Sequence, residues 1–285
     1  MTKILTGKEV AAAITENIEK RSAALIEKGK TPVLGILRVG ENPSDMAYER
    51  GALKRAEKTG VQVKKTVLPE TATTEQVLTE VEKFNSDDSV DGVLIYRPMP
   101  SHIDDDLVRN ALAPEKDIDG IGNGAMAGVY SGRDIGYSPC TAEACIEILK
   151  YYNIPIKGRK AVIIGRSLVI GRPVAMMLMK EHATITICHT RTEDPAKEAA
   201  QADILIAAAG KAGVVDRNYM HPGQYIIDVG INVDENGNMC GDADFKAGEG
   251  VVSGITPVPG GVGGVTTSVL MKHVVEAAEK KAAQL

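Results

Sequence analysis

The sequence has no strong charge excess, no long apolar run and no clustered cysteines, and each absence removes a class of function. Lysine and arginine number 33 against 38 aspartates and glutamates, a net charge of −5. That balance gives no electrostatic reason to expect a nucleic-acid or membrane partner. No apolar run approaches the ~20 residues of a membrane helix. Met1–Gly7 carries no apolar signal-peptide core, so the cytoplasm is the expected location. Cys140, Cys145, Cys188 and Cys240 form no CxxC pair and are expected as reduced thiols. The five histidines are scattered, without metal-ligand spacing, and no metal is expected. His189, just after a strand, reads as a solvated loop residue. Internal repeats and low-complexity segments are absent, and so is the GxGxxG fingerprint of dinucleotide-binding folds.

What is present is a soluble α/β pattern. With 285 residues, 44 % hydrophobic and 25 % charged, the chain can bury a large core and is expected to split into two domains. Its organising stretch is Lys160–Pro173, KAVIIGRSLVIGRP. Ala161–Ile164 is short and apolar, as a buried parallel strand is. Gly165 breaks it, and Gly171-Arg172-Pro173 opens a helical stretch, proline being at home in a first helical turn. Strand, glycine turn and helix N-terminus together make an anion site, because free N–H groups and the helix dipole point at one spot. An ordinary corner would look the same locally. The strands expected at Thr184–Cys188, Ile204–Ala208 and Tyr225–Val229, with helical or shorter segments between, imply a parallel sheet and favour the dinucleotide alternative.

The rest of the chain follows the same logic. Thr6 precedes a helix from Gly7 to about Lys28, with Val10, Ile14, Ile18 and Leu25 on one face. Val33–Val39 is a strand, and Gly40-Glu41-Asn42-Pro43 turns into a helix reaching Lys58. A strand at Val61–Leu68 comes next, then a capping box Thr73-x-x-Gln76 opening a helix. Gly92–Tyr96 is a further strand, followed by Pro98-Met99-Pro100 and a short helix over Asp104–Leu112. Asp117–Tyr137, rich in glycine, reads as loop or hinge. A helix at Thr141–Tyr152 leads into the Lys160 strand. Asn236-Gly237 is a two-residue hairpin signal, and a last helix spans about Thr266 to Ala283.

With these stretches assembled, the chain resembles the methylenetetrahydrofolate dehydrogenase/cyclohydrolase family. Five segments carry the likeness: VGENP with Tyr48, KDIDG (116–120), SPCT (138–141), GRSLVIGRP (165–173) and ITPVPGGVG (255–263). IDVGIN and GDADF agree with them. The resemblance implies two α/β domains with a cleft between them, the second a Rossmann-type parallel sheet. Residues 1–140 plus the C-terminal helix 265–285 would form the folate-binding, catalytic domain, and 141–264 the NAD(P)-binding domain. Folate would lie near Tyr48, Tyr96 and Asp119, with the Pro259-Gly260-Gly261 turn closing the wall. The cofactor would lie at Gly165, Arg166, Ser167, Thr190, Arg191 and Ile231. Tyr48 and Asp119 are the candidate catalytic residues, and a homodimer is expected by the same likeness. On residue type alone, Asp119 also fits an Asx turn and Tyr48 a half-buried core position.

The departures from the family pattern fall on the folate side. The family's cyclohydrolase lysine follows its tyrosine by four positions, and here that position is Ala52. Lys54 lies about 200° round a helix from Ala52. Arg55 shares the face of Tyr48 and Ala52, but a guanidinium cannot act as a base. The family's glutamine at the strand end is Tyr96. Its Phe-His-Pro loop is Ile121-Gly122-Asn123, and its Gly-Pro-Met-Thr is replaced around Gly264-Val265-Thr266.

These changes make a dehydrogenase without cyclohydrolase activity the leading expectation, with a separate cyclohydrolase elsewhere in the pathway. Hydride transfer is chiefly positioning of two flat molecules, whereas hydration needs a proton acceptor. The alternatives are a bifunctional enzyme using another base, a non-catalytic folate or nucleotide sensor, and a different reduced pterin as substrate. NADP is expected over NAD. After Thr184–Cys188 the chain has His189-Thr190-Arg191-Thr192 and no acid before Glu193, while Arg166 lies in the turn itself, a set suited to a 2′-phosphate.

Overall fold

A computed structural model describes residues Met1–Gln284. In chain order its elements are β1 (Lys3–Ile4), α1 (Gly7–Glu27), β2 (Val33–Val39), α2 (Pro43–Lys58), β3 (Gln62–Leu68), α3 (Thr74–Ser86), β4 (Gly92–Ile95), α4 (Asp105–Ala111), α5 (Asn123–Ser131) and α6 (Cys140–Tyr151). They continue with β5 (Lys160–Ile164), α7 (Gly171–Lys180), β6 (Thr184–Cys188), α8 (Pro195–Ala199), β7 (Ile204–Ala207), β8 (Tyr225–Asp228), β9 (Asn232–Val233), β10 (Met239–Cys240), α9 (Phe245–Gly248), β11 (Gly254–Ile255) and α10 (Gly263–Ala282).

The chain divides into two compact units, Met1–Ala12 with Thr141–Thr266, and Ala13–Cys140 with Thr267–Leu285. The first holds a six-stranded sheet in the order β1-β11-β8-β7-β5-β6, every neighbouring pair parallel. Its inner strands β5, after Lys160, and β7 are apolar and buried, as strands covered on both faces must be. The second unit holds the three-stranded parallel sheet β3-β2-β4. All seven residues of β2 are buried there, while the edge strand β3 leaves Lys64 and Lys65 exposed. The capping box forms as expected: Thr73 Oγ1 accepts the Gln76 N–H, and Gln76 Oε1 accepts the Thr73 N–H.

Three expectations change. Residues 1–12, expected with residues 13–140, cluster by contacts with 141–266 instead, because β1 pairs with β11 at the edge of the larger sheet. The stretch 117–137 is not all loop. It contains α5, whose sequence NGAMAGVYS hides its helical period because small residues, Ala125 among them, supply the buried face. The hairpin at Asn236-Gly237 exists as β9 and β10, but its loop is longer than two residues. Asp234 N–H donates to Asn238 O, and only Gly237 takes a positive φ, +80°. No helix among the described residues is long and apolar enough to cross a membrane.

Candidate active site

In the second unit, α2 presents Tyr48 and, one turn on, Ala52, whose exposure is 0 %. Lys54 is exposed, as its position on the helix requires. Arg55 Nη1 donates to Thr15 Oγ1 at 2.6 Å and is half-buried. Beside Tyr48, the buried Glu49 carboxylate is fully engaged, taking Arg38 Nε at 3.0 Å and Lys65 Nζ at 2.8 Å. Arg38 sits inside the buried strand β2 at 5 % exposure, and such a charge is tolerated only with a partner. The pair therefore clamps α2 onto β2 and β3 and fixes the helix that carries Tyr48.

Tyr96 follows the C-terminal end of β4, where parallel sheets place ligand-binding groups. Its N–H donates to Leu37 O, extending the ladder by one residue. Its ring meets that of Tyr48 edge-on, with centroids 6.1 Å apart and an interplanar angle of 79°. The favourable edge-to-face contact holds both rings, and burial pushes both phenols upward, so both stay protonated at neutral pH. Arg97, the next residue, is bound through Nε and Nη2 to both carboxylate oxygens of Asp105.

The KDIDG segment is held at three points. The Lys116 ammonium donates to the carbonyls of Phe84, Asn85 and Asp87, at 2.7, 2.8 and 2.8 Å, and caps the end of α3. Asp117 accepts the N–H groups of Ile121 and Gly122 at 3.1 and 2.7 Å. Gly120 takes φ +65°, and a Cβ there would lie 2.6 Å from Tyr137 O, Ser138 C and Pro139 N, so only glycine fits against the SPCT segment. It is thus the Asp117 carboxylate that braces the backbone of the following turn, a turn-forming role that residue type alone allowed for Asp119. Asp119 is left for other work. Burial pushes its carboxyl up to about 6, against a hydrogen bond from the Cys140 thiol that lowers it. His273, 2 % exposed on α10, shares Nδ1 with Ile118 O at 2.7 Å and packs on the Tyr137 ring with centroids 5.0 Å apart. Cys140 and His273 are contributions that sequence reasoning missed. The signal for His273 is a polar residue on the otherwise apolar face of the last helix.

In the first unit, the organising stretch folds as strand, turn and helix. Gly165 leaves β5 with φ +126°, and a Cβ would stand 2.0 Å from Ala208 O, so the turn requires glycine. Ser167 Oγ accepts the N–H groups of Ile170 and Gly171 at 3.1 and 3.5 Å, bracing the turn that leads into α7. Arg166, Thr190 and Arg191 are exposed, and neither guanidinium is paired with a carboxylate among the described residues. His189 is tied into the turn after β6, its Nδ1 accepting the Arg191 N–H at 3.1 Å and its own N–H donating to Thr192 Oγ1.

Ile231 is 70 % exposed, and two buried carboxylates hold the backbone on either side of it. Asp228 accepts the N–H groups of Gly230, Asp242 and Ala243 at 2.9, 3.0 and 2.8 Å. Asp242 accepts those of Ala209, Gly210 and Lys211 at 2.6, 2.8 and 2.9 Å, and Asn232 Nδ2 at 2.9 Å. Burial pushes the Asp228 carboxyl up to about 6 despite these donors. Ile231, Met239 and the 257–264 turn, with Pro259 and Gly260, line one groove of this unit. A solvent-facing glycine turn at a helix start, two guanidiniums without carboxylate partners and a fixed apolar platform fit a phosphorylated dinucleotide.

The comparisons agree with this geometry. Residues 5–119 match the model of the tetrahydrofolate dehydrogenase/cyclohydrolase catalytic domain, and residues 139–282 that of the same family's NAD(P)-binding domain. The bifunctional protein FolD of Clostridioides difficile (strain 630) is 47 % identical over 275 residues, 96 % of each chain. The crystal structure of the bifunctional FolD enzyme from Campylobacter jejuni superposes with a TM-score of 0.95 at 36 % identity, over 98 % of this chain and 99 % of that one. That of the Trypanosoma brucei enzyme, complexed with NADP and an inhibitor, gives 0.92 at 31 %, over 99 % and 98 %. The chain belongs to the tetrahydrofolate dehydrogenase/cyclohydrolase family.

Proposed function

We propose that this protein is a 5,10-methylenetetrahydrofolate dehydrogenase that uses NADP and lacks cyclohydrolase activity. The observation that carries the second half is Ala52, buried one helical turn after Tyr48, where the family pattern has a lysine. The other lysines nearby are committed or turned away: Lys65 to Glu49, Lys116 to three carbonyls, Lys54 to solvent. Tyr96, in the position of the lysine's glutamine partner, is a phenol held protonated. Hydration of a methenyl carbon needs a proton acceptor beside the attacking water, a contribution of about 10²–10⁴-fold. Two of the relatives named above are called bifunctional and the third a dehydrogenase-cyclohydrolase, which supports the dehydrogenase activity and makes the bifunctional reading the alternative. The substituted lysine argues against carrying the second activity over.

In this reading Tyr48 and Tyr96 flank the pterin. Asp119, ionised at neutral pH, accepts its paired N–H donors. NADP is held through Gly165, Arg166, Ser167, Thr190, Arg191 and Ile231, with the guanidiniums on the 2′-phosphate. Bound there, the nicotinamide supplies the hydride acceptor. The protein's part is to hold the folate and exclude competing reactions. The expected setting is a cytoplasmic homodimer working beside a separate cyclohydrolase. Purified protein mixed with methylene-tetrahydrofolate and NADP tests the reading. A rise in nicotinamide absorbance supports it, and folate binding without any rise makes the protein a sensor.

A further inference from the structure

Tyr96 carries a feature that the dehydrogenase reading leaves unused. The residue is 6 % exposed, and its hydroxyl oxygen is buried without a hydrogen-bond partner among the described residues. The surrounding groups explain why. Glu49 has one oxygen on Arg38 and the other on Lys65. Arg38 gives an Nη1 N–H to Gly40 O and its Nε N–H to Glu49. Arg97 is locked on Asp105, and Tyr48 offers Tyr96 a ring contact rather than a lone pair. Asp45 and Asp119 act on the phenol only through space. A buried donor left unsatisfied costs stability that a phenylalanine would avoid, so its retention calls for an acceptor that the protein itself does not contain.

We propose that the Tyr96 hydroxyl is a hydrogen-bond donor reserved for a neutral lone pair on the bound reduced folate, either the pterin carbonyl oxygen or a bridge nitrogen. The inference rests on the folate reading of this site. The ring position is fixed independently of ligand, by the Tyr96 N–H on Leu37 O and by the edge contact with Tyr48. The donor is therefore held in place before the ligand arrives, and its satisfaction is gained only in the complex. A phenol that stays protonated donates and does not take up a proton. The same residue thus selects for ligands with an acceptor at this point while contributing nothing to hydrolysis.

The test is Tyr96→Phe, which keeps the ring and removes the oxygen, with Kd measured for tetrahydrofolate and NADP and with thermal unfolding of the free protein. The expected result is a rise of about tenfold in Kd and KM for the folate. The Kd for NADP should be unchanged, kcat changed less than about threefold, and the Tm of the free protein equal or higher. A dideaza analogue that keeps the pterin carbonyl and lacks both bridge nitrogens assigns the acceptor. If the variant binds it more weakly than wild type does, the carbonyl is the partner; equal binding points to a nitrogen. Unchanged tetrahydrofolate affinity in Tyr96→Phe would overturn the proposal, and so would a clear fall in the Tm of the free protein, which means the hydroxyl was already satisfied within the fold. Failure of wild type to bind tetrahydrofolate at all would instead overturn the folate reading.

Discussion

Asp117 and Asp119 stand on either side of the buried Ile118 and use their carboxylates in opposite ways. Asp117 gives both oxygens to the backbone of the following turn, through Ile121 and Gly122. Asp119 instead takes a hydrogen bond from the Cys140 thiol, with His273 and Arg97 acting on it through space. The two positions should therefore fail differently. Asp117→Asn keeps one acceptor and loses the other, costing about 1–3 kcal/mol of stability and lowering Tm. Asp119→Asn should leave Tm unchanged or raised while weakening folate binding by about 1.5–3 kcal/mol, the range for a charged hydrogen bond. NADP affinity should not move in the second variant. Thermal unfolding and two binding titrations separate the outcomes.

The same aspartate gives the protein a pH signature. Its carboxyl titrates near 6 in the fold, above the ~3.9 of an unfolded chain, so between those values the folded state holds the proton more firmly. By linkage, stability falls as pH rises through that window and stays level above it. Asp228, also near 6, adds to the same slope, and Asp119→Asn should remove its own share only. Folate affinity should run the other way if, as proposed, the ionised carboxylate is the acceptor. The Kd for tetrahydrofolate should rise as pH drops below about 6 in wild type and stay flat in Asp119→Asn.

Much of the fold is legible in the sequence, and what is missed has physical causes. Strands such as Gly92–Ile95 and the Ala161–Ile164 part of β5 announce themselves because burial on both faces demands apolar runs. The helix α5 does not, since its buried face is made of alanine and glycine, which carry no hydrophobic period. The pairing of residues 3–4 with residues 254–255 is a contact across nearly the whole chain that no local pattern encodes. In the site, the family resemblance singles out Tyr48, Tyr96 and Asp119, and the structure brings the two tyrosines into contact. The Arg38–Glu49 clamp and the part of His273 behind Ile118 are invisible as motifs. Each appears in the sequence only as a polar residue where an apolar one is expected.

Cofactor choice should depend on the two exposed guanidiniums of the first unit. Arg191→Ala and Arg166→Ala are each expected to cut kcat/KM with NADP about tenfold or more, with kcat/KM for NAD nearly unchanged. A wild-type preference for NAD that Arg191→Ala leaves untouched would contradict the assignment. Steady-state kinetics with both cofactors reads the difference.

Asp242 ties three backbone N–H groups and one side-chain amide to a single buried carboxylate. Asp242→Ala strands all four donors, so a loss of at least about 2 kcal/mol is expected, together with weaker NADP binding as the 209–211 loop and Ile231 lose their anchor. Lys211→Ala, which leaves the backbone donor in place, should do neither. Chemical denaturation with a parallel NADP titration checks both.

With Ala52 buried where the family pattern has a lysine, the site is expected to lack the proton acceptor that hydrolysis requires. The direct measurement follows methenyl-tetrahydrofolate with wild-type protein, scoring its loss to formyl-tetrahydrofolate above the buffer background and comparing that rate with the protein's own dehydrogenase turnover. The account predicts steady NADP reduction, accumulation of methenyl-tetrahydrofolate, and hydrolysis no faster than in buffer. Hydrolysis at a rate comparable to dehydrogenation would contradict it.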